Sequence, residues 1–401
     1  MTDDATTAVD RLLRRRPDVT LDELEPGRPA LVMRDQILVA ARDAADVEGL
    51  ARRWIDRVET DDDALLARVR LRPGRGTHPA VLAAELARPN GHRQRAVTAN
   101  HVLRAAPDWS GGPADRPRKP HLVPTAPRAG RATDPVLTVA VLDTGISRHP
   151  WFEDEDWFGG VREQDVEGLD ELGGDDRLDT QAGHGTFVVG VVRQAAPDAY
   201  IVAPKVLASD GVTSDFDLVR KLRRLRRWSR RTERHLDLVN LSFGGFTVDD
   251  LPSPHVADAV AALGRDTVVV ACAGNDGSDR PFWPAALKSV IAVGALDANG
   301  DDRAPFSNYG WWVDACSIGE RVASCFVTFD GPDPSTGVFD DDNFTGYAEW
   351  SGTSFAAPRV LGAIAAAALE HGISTGAAAD RVLDPDATRA MPDLGVVVPG
   401  P

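Results

Sequence analysis

The sequence is poor in cysteine and contains no long apolar run. Three cysteines among 401 residues, Cys272, Cys316 and Cys325, are too few for the disulfide framework of a small secreted domain. A bridge between Cys316 and Cys325 stays open at this point. No stretch approaches the ~18 consecutive apolar residues of a membrane helix, and the N-terminus lacks the apolar segment of a signal peptide. We therefore predict a cytoplasmic protein without a membrane partner.

Positive charge is also in deficit. The chain has 45 Lys and Arg against 61 Asp and Glu, a net charge of -16, which argues against nucleic acid as the main partner. One basic run, within residues 216–231, could be a nucleic-acid footprint. Its apolar residues recur at helical spacing, so a core-packed helix with a charged outer face is the favoured interpretation. Apolar residues make up 43% of the chain, enough for a buried core.

A stretch rich in Pro, Gly and charge divides the chain. Residues 108–134 have no apolar period and are predicted to form a linker. Before it, residues 1–27 are predicted as a tail and residues 28–107 as a small α+β domain. After it, residues 135–385 are predicted as a catalytic domain and residues 386–401 as a C-terminal tail.

The apolar patterns predict the elements of each domain. Helices are expected at 44–58, 79–87, 185–195, 216–231, 254–263 and 354–370. Strands are expected at 36–41, 65–71, 96–105, 137–142, 200–207, 236–241, 267–273, 290–296 and 313–318. The later strands are near-continuous runs of Val, Ile, Leu and Ala, as in sheets covered on both faces. The predicted fold is α/β, with a mostly parallel central sheet flanked by helices.

Two motifs place polar side chains where a buried element ends or begins. In VAVLDTGI, residues 139–146, an apolar strand stops at Asp143. Parallel sheets bind ligands at the carboxyl ends of their strands, although an Asp there commonly caps a turn. In GHGTFVVGVV, residues 183–192, His184 lies between two glycines at the start of an apolar helix, where it could exchange protons or be an ordinary helix-start residue.

Two further motifs add a serine and an amide. SGTSFAAP, residues 351–358, leads into an apolar helix, so Ser354 would lie at an N-terminus whose amides favour a developing negative charge. In ACAGNDG, residues 271–277, Asn275 follows a strand. Its amide could donate to an oxyanion, or the residue could simply fit a turn.

Together these motifs resemble those of the subtilisin-like serine peptidases, the subtilase family. DTG, HGT, SFGG at 242–245, AGN and GTSxAxP follow one another in family order over residues 137–369. The order Asp, His, Ser is that of subtilisin. The resemblance implies that Ser354 is the nucleophile, that His184 is the general base, and that Asp143 orients it.

The resemblance also implies how substrate is bound. Asn275 and the backbone N–H of Ser354 would bind the oxyanion. Ser242, Phe243 and Gly244 match the segment that pairs with an extended substrate, so a peptide or protein in strand conformation is expected. The primary pocket should lie near Gly244, with Phe282 or Trp283 lining or blocking it. Apolar and basic anchor residues both stay open.

No cofactor is expected from these motifs. The connection RQAAPDAY, residues 193–200, lacks the loop that supplies a calcium site in secreted relatives, and we predict no metal site. The acidic run FDDDN, residues 339–343, could hold a cation, but a solvated loop is favoured. Phe187 replaces a second His that many relatives have after HGT. The stretch 322–350 is longer than in compact relatives and is predicted to form a hairpin beside the active site.

The small N-terminal domain resembles, more loosely, the ferredoxin-like prodomains of the same family. These share a strand-helix-strand-strand-helix-strand order. Such a domain would template folding and fill the substrate cleft with a segment near residues 103–109, which makes it an expected partner of the catalytic domain. The alternative is an unrelated α+β appendage.

The predicted function is a serine endopeptidase. An esterase or lipase of the α/β-hydrolase type would need G-x-S-x-G and the order Ser, acid, His, which does not fit Ser354 lying last. The remaining alternative is a non-catalytic scaffold that grips a peptide. Such a scaffold needs none of Asp143, His184, Asn275 and Ser354.

Overall fold

The structure of this protein is a computed structural model that describes residues 8–74, 78–88, 94–105, 116–127, 137–152, 165–172, 174–332, 342–386 and 388–400. The helices in these ranges are α1 (Ala8–Arg15), α2 (Ala44–Ala51), α3 (Pro79–Ala87), α4 (His184–Ala195), α5 (Asp215–Thr232), α6 (Pro254–Ala261), α7 (Thr353–His371) and α8 (Thr375–Val382). The strands are β1 (Val19–Asp22), β2 (Ala30–Ala40), β3 (Ile55–Asp61), β4 (Leu66–Leu71), β5 (Val97–Arg104), β6 (Thr138–Leu142), β7 (Tyr200–Val202), β8 (Val212–Ser214), β9 (Leu238–Leu241), β10 (Val268–Cys272), β11 (Val290–Leu296), β12 (Ala315–Ile318), β13 (Val322–Phe329), β14 (Phe344–Trp350), β15 (Ala390–Met391) and β16 (Gly395–Val397). Below, the N-terminal unit means the described residues up to 105, and the C-terminal body means those from 137 onward.

The N-terminal unit is built on an antiparallel sheet with the strand order β3-β4-β2-β5-β8, and β1 pairs with β2. From β2 to β5 the elements follow one another as strand, helix, strand, strand, helix, strand. Helices α2 and α3 cover the sheet: Val47 and Leu82 pack with Ile37, Val39 and Val69. The outermost strand, β8, comes from the C-terminal body, so this sheet joins the two parts of the chain.

Two predictions about the N-terminal residues are wrong. The helix expected at 44–58 ends at Ala51, and Ile55–Asp61 forms a strand that pairs with β4. Pairing with a neighbouring strand, together with β-branched side chains, outweighs the helical spacing of the apolar residues there. The tail expected at 1–27 contains α1 and β1, and Leu12 of that helix is buried.

The C-terminal body is built on a sheet with the strand order β15-β16-β12-β11-β10-β9-β6-β7. Its neighbouring strands are parallel, except for β15 with β16. The central strands are buried on both faces, which explains their near-continuous apolar sequences. The predicted α/β fold with a mostly parallel, helix-flanked sheet is confirmed.

The expected tail at residues 386–401 is wrong for its described part. Gly395–Val397 forms β16, which pairs in parallel with β12, and Leu394 and Val398 are buried. Gly395 has a φ of 70°, which lets the chain reverse between β15 and β16. The short apolar run that ends the sequence is therefore part of the core.

A separate antiparallel hairpin, β13 and β14, agrees with the one predicted within residues 322–350. It packs on α4, where the hydroxyl of Ser324 donates to the carbonyl of Phe187 at 2.9 Å. The acidic run at 339–343 lies mostly outside the described residues. Within it, Asp342 is buried and paired with arginine side chains.

The predicted linker, residues 108–134, is described over 116–127 alone. There the backbone of Arg118 exchanges two hydrogen bonds with that of Glu349 in β14, at 2.9 and 2.8 Å. Arg118, which precedes β6 in the chain, is therefore bound to the hairpin of the C-terminal body.

The three cysteines are free and buried, so no bridge joins Cys316 to Cys325. Burial raises the pKa of Cys272 and of Cys316 to about 12. No single helix in the described ranges is long and apolar enough to cross a bilayer. Helices α7 and α8 meet that test only as a pair bent by 115°, and α7 is largely buried in the body.

Candidate active site

Asp143 lies at the carboxyl edge of the parallel sheet, directly after β6. It is buried, and its Oδ1 accepts a hydrogen bond from the backbone N–H of Thr144 at 2.8 Å. The chain can turn away at once because Gly145 has a φ of 109°, which glycine adopts without strain. The strand end and the turn together fix a carboxylate at the sheet edge.

His184 is the first residue of α4 and lies against this carboxylate. Its Nδ1 is 2.7 Å from Oδ1 of Asp143. The close approach requires Gly185, since a Cβ there would collide with a backbone carbonyl of the DTG turn. The imidazole is buried beside the rings of Trp350 and Phe355, at centroid distances of 5.4 and 5.3 Å. The structure thus brings two of the predicted residues together and fixes the orientation of the ring.

Ser354 is the second residue of α7, and its position is set by contacts with Ser242 at the end of β9. The hydroxyl of Ser354 donates to the carbonyl of Ser242 at 3.1 Å, and the hydroxyl of Ser242 donates to the carbonyl of Ser354 at 2.7 Å. Nε2 of His184 has no hydrogen-bond partner among the described residues. The serine and the imidazole therefore do not share a hydrogen bond here, which is common where substrate is needed to complete the geometry.

Asn275 follows β10 and is anchored by the same helix start. Its Oδ1 accepts hydrogen bonds from the backbone N–H and the hydroxyl of Thr353, at 2.8 and 2.9 Å. Its buried Nδ2 has no partner within the described ranges. The amide is thus held through its oxygen, beside Ser354, with both N–H donors available.

A carboxyl group that no sequence motif marks lies behind this site. Both oxygens of Glu167 accept hydroxyl hydrogen bonds, one from Thr144 and one from Thr186. Burial raises the pKa of Glu167 to about 7, although these two hydrogen bonds oppose the rise. The segment around Glu167 has no apolar period and no motif, so the sequence offered no signal for it.

The edge expected to bind substrate pairs with the protein's own strand β5. Gly244 exchanges two backbone hydrogen bonds with Arg104, at 2.7 and 3.0 Å, and the N–H of Ala105 donates to the carbonyl of Gly211 at 2.9 Å. Strand β5 also pairs with β8. The segment 102–105 therefore lies extended between two backbone edges of the C-terminal body.

The other residues predicted to bind substrate lie around this edge. The side chain of Phe243 is fully buried, so it belongs to the core. Phe282 is also buried, and its ring lies against the backbone at Gly244 and Gly274, where the primary pocket is expected. Trp283 exchanges two backbone hydrogen bonds with Gly245, each of 2.8 Å. Phe282 is thus part of the core beneath the expected pocket region.

These residues fall within a match to a known family. The model of the subtilase family matches residues 135–392. The chain belongs to the subtilase family. The match runs from β6 to β15, and so includes both the buried Asp143–His184 pair and Ser354. This subtilase is a subtilisin-like serine peptidase, and peptides or proteins are its class of substrate.

Curated relatives agree with this membership. Subtilisin BL of Lederbergia lenta is 34% identical over 239 residues, which cover 57% of this chain and 75% of that protein. The major intracellular serine protease of Bacillus subtilis is 29% identical over 247 residues, which cover 57% of this chain and 67% of that protein. A crystal structure of a cold adapted subtilisin-like serine proteinase covers 66% of this subtilase and 89% of its own chain, at 22% identity and a TM-score of 0.47.

Proposed function

We propose that this subtilase is an endopeptidase that works through Asp143, His184 and Ser354. The observation that carries the proposal is the buried contact of 2.7 Å between Nδ1 of His184 and Oδ1 of Asp143. A carboxylate in this position holds the imidazole with Nδ1 protonated, which leaves Nε2 free to accept a proton. Ser354 is the hydroxyl that the family order assigns to that nitrogen.

In the proposed reaction the hydroxyl oxygen of Ser354 attacks the carbonyl carbon of the scissile peptide bond. His184 takes the hydroxyl proton and then delivers it to the leaving amine, so an acyl-enzyme and a free amine result. Water repeats the sequence on the ester and releases the acid. Asp143 stabilises the imidazolium that forms in each half of the reaction.

The oxyanion is proposed to bind between Asn275 and α7. Within the described part of the chain, the two N–H donors of the buried Asn275 amide have no partner, and its oxygen is held in place by Thr353. The backbone N–H of Ser354 belongs to the first turn of α7, where amides have no partner inside the helix. Fixed donors in a dry site stabilise the charge of the intermediate more than water would.

The N-terminal unit is proposed to inhibit the enzyme by occupying the substrate edge. The backbone hydrogen bonds of Arg104 with Gly244, and of Ala105 with Gly211, are those that an extended peptide would make. Substrate and β5 would then compete for one edge. A folding role for this unit and its removal by cleavage remain part of the same proposal.

Labelling with a fluorophosphonate probe, read by intact mass, tests the proposed nucleophile. We expect one adduct on the wild-type chain, none on Ser354→Ala, and an adduct on the matched control Ser351→Ala. EDTA should leave the labelling rate unchanged, since the proposed reaction uses protein groups alone. A folded wild-type chain that is neither labelled nor cut would favour the alternative, a peptide-binding scaffold.

The same intact-mass measurement tests the inhibitory role. A wild-type sample separated into two pieces with a new N-terminus in the linker, beside an uncut Ser354→Ala sample, would support cleavage by the enzyme itself. An uncut chain that is fully active towards a large protein substrate would contradict inhibition by β5.

A further inference from the structure

Glu167 connects the two segments that carry the proposed acid and base. Its Oε1 accepts a hydrogen bond from the hydroxyl of Thr144, the residue after Asp143. Its Oε2 accepts one from the hydroxyl of Thr186, two residues after His184. A single carboxyl group is thus hydrogen-bonded to the DTG turn on one side and to the first turn of α4 on the other.

The two hydroxyls are themselves bound across the gap between those segments. The backbone N–H of Gly185 donates to Oγ1 of Thr144, and the backbone N–H of Ser147 donates to Oγ1 of Thr186, each at 2.8 Å. The hydroxyls of Thr144 and Thr186 therefore each link one segment to the other, and Glu167 accepts a hydrogen bond from both. The hydroxyl of Ser147 also donates to Oε2 of Glu167, at 3.5 Å. Loss of its hydrogen bonds would release the contacts that keep the two segments in register.

The charges around Glu167 make its protonation state matter. It is 5% exposed, and the titratable groups that face it are Asp143 after β6, His184 at the start of α4, and Cys325 in β13. The nearby Lys221 is paired with Asp165 instead, at 3.4 Å. Because burial raises its pKa to about 7, Glu167 exchanges its proton in the range where a histidine does.

The hydroxyl of Thr144 can pass this change on to the acid. Its Oγ1 lies 3.4 Å from Oδ1 of Asp143, and it has one proton to give. When Glu167 is ionised, it accepts that proton in a hydrogen bond. When Glu167 is neutral, its own O–H can donate to Thr144, and the threonine proton becomes available to Asp143.

We propose that Glu167 is a positioning residue of this active site, which clasps the Asp143 turn to the His184 helix and tunes the proton affinity of that pair. The proposal rests on the proposed function of Asp143 and His184. Glu167 does not touch the reacting atoms. Its effect should therefore appear in the pH profile more than in the limiting rate.

The variant Glu167→Gln tests this by removing the charge while keeping one oxygen and one donor. An ionised Glu167 stabilises protonated His184, so its removal should move the acid limb of kcat/KM to lower pH, by about half to one pH unit. The matched control is Glu171→Gln in the same segment, where the carboxylate is 41% exposed and pairs with Lys205. We expect the acid limb of the kcat/KM profile to stay at the same pH in Glu171→Gln. An acid limb at the wild-type pH in Glu167→Gln would overturn the proposal.

A second measurement needs no activity and separates this inference from the proposed function. In Ser354→Ala protein, the ring of His184 is titrated by NMR, and its signal is assigned by comparison with His184→Gln. We expect two inflections, one from the imidazole and one from Glu167, because the two groups interact. A single inflection that is identical in Glu167→Gln would overturn the proposal, whether or not the wild-type enzyme cleaves peptides.

Discussion

The parallel sheet of the C-terminal body and the antiparallel sheet of the N-terminal unit collect side chains in different ways. In the body, β6, β9 and β10 are neighbours that point the same way, so the residues after them, Asp143, Ser242 and Asn275, arrive at one edge. In the N-terminal unit, neighbouring strands alternate in direction, so their ends are divided between two edges. The unit contributes backbone instead, through β5. The direction of the strands therefore determines which region can bring several functional side chains to one edge.

The largest expected effect tests whether the chemistry is confined to the body. Replacing His184 by Ala should lower turnover on the order of a millionfold, the size measured for the corresponding loss in subtilisin. His235→Ala is the matched control, because this imidazole is 59% exposed and pairs with a neighbouring Asp237. Initial rates on a peptide substrate measure both variants. If His184→Ala kept most of its turnover, His184 would not be the base, and the chemistry would not depend on the side chains that the parallel sheet brings together.

The next effect concerns the boundary between the two regions. His101 of β5 pairs with Asp215 of α5 at 2.9 Å, and both side chains are buried. His101→Ala leaves a buried Asp215 without this partner, so we expect a loss of about 3–5 kcal/mol in the free energy of unfolding. His235→Ala breaks a pair of the same 2.9 Å length at the surface and should cost less than about 1 kcal/mol.

Urea unfolding of both variants, in a Ser354→Ala background that prevents self-digestion, measures this difference. Weaker docking of β5 should also speed fluorophosphonate labelling when the same substitution is made in the active enzyme. Equal losses of stability in the two histidine variants would mean that the buried pair does not hold the regions together.

The sequence predicted the body well because its signals are local. A strand buried on both faces must be apolar along its length, and a turn such as the one at Gly145 needs glycine. The end of the strand beside Asp143 can therefore be predicted from the local sequence alone. Helix α7 likewise follows from the apolar run after Ser354. The chemistry-bearing residues that the sequence identified all lie next to such signals.

What the sequence could not predict depends on contacts between distant residues. The helix predicted at 44–58 includes the first residues of the strand Ile55–Asp61, because the conformation of this strand is decided by its partner, β4. β16 lies within the predicted tail because its partner, β12, lies about 80 residues earlier in the chain. Glu167 was missed because its importance comes from Thr144 and Thr186, which meet it only in the folded state.

A smaller and pH-dependent effect is expected for stability at Glu167. Its pKa is raised by burial from 4.5 to about 7 in the folded state, so between these values the unfolded chain releases a proton that the folded chain keeps. The free energy of unfolding should therefore fall as pH rises from 4.5 to about 7, by about 3 kcal/mol in total.

Glu167→Gln lacks this titration, so its free energy of unfolding relative to that of its parent should rise by about 3 kcal/mol between pH 4.5 and pH 8. Urea unfolding at several pH values, again with Ser354→Ala in both chains, measures the gain. Glu171→Gln is the control, because that carboxylate is 41% exposed, and Lys205 is among the groups that hold its pKa below the ordinary value. A constant difference between Glu167→Gln and its parent across this range would show that Glu167 titrates as it does in the unfolded chain.

The smallest expected effect is an absence of reaction. All three cysteines belong to the body and are buried, and burial raises the pKa of Cys272 and of Cys316 to about 12, so little thiolate forms near neutral pH. Ellman's reagent should therefore react no faster than the body unfolds, and a reducing agent should leave stability unchanged. Leu122→Cys, at a side chain that is 83% exposed, provides a thiol that reacts at once under the same conditions. Rapid uptake of one equivalent by the wild-type chain would mean that β10, β12 or β13, the strands that carry the three thiols, opens far more readily than its burial implies.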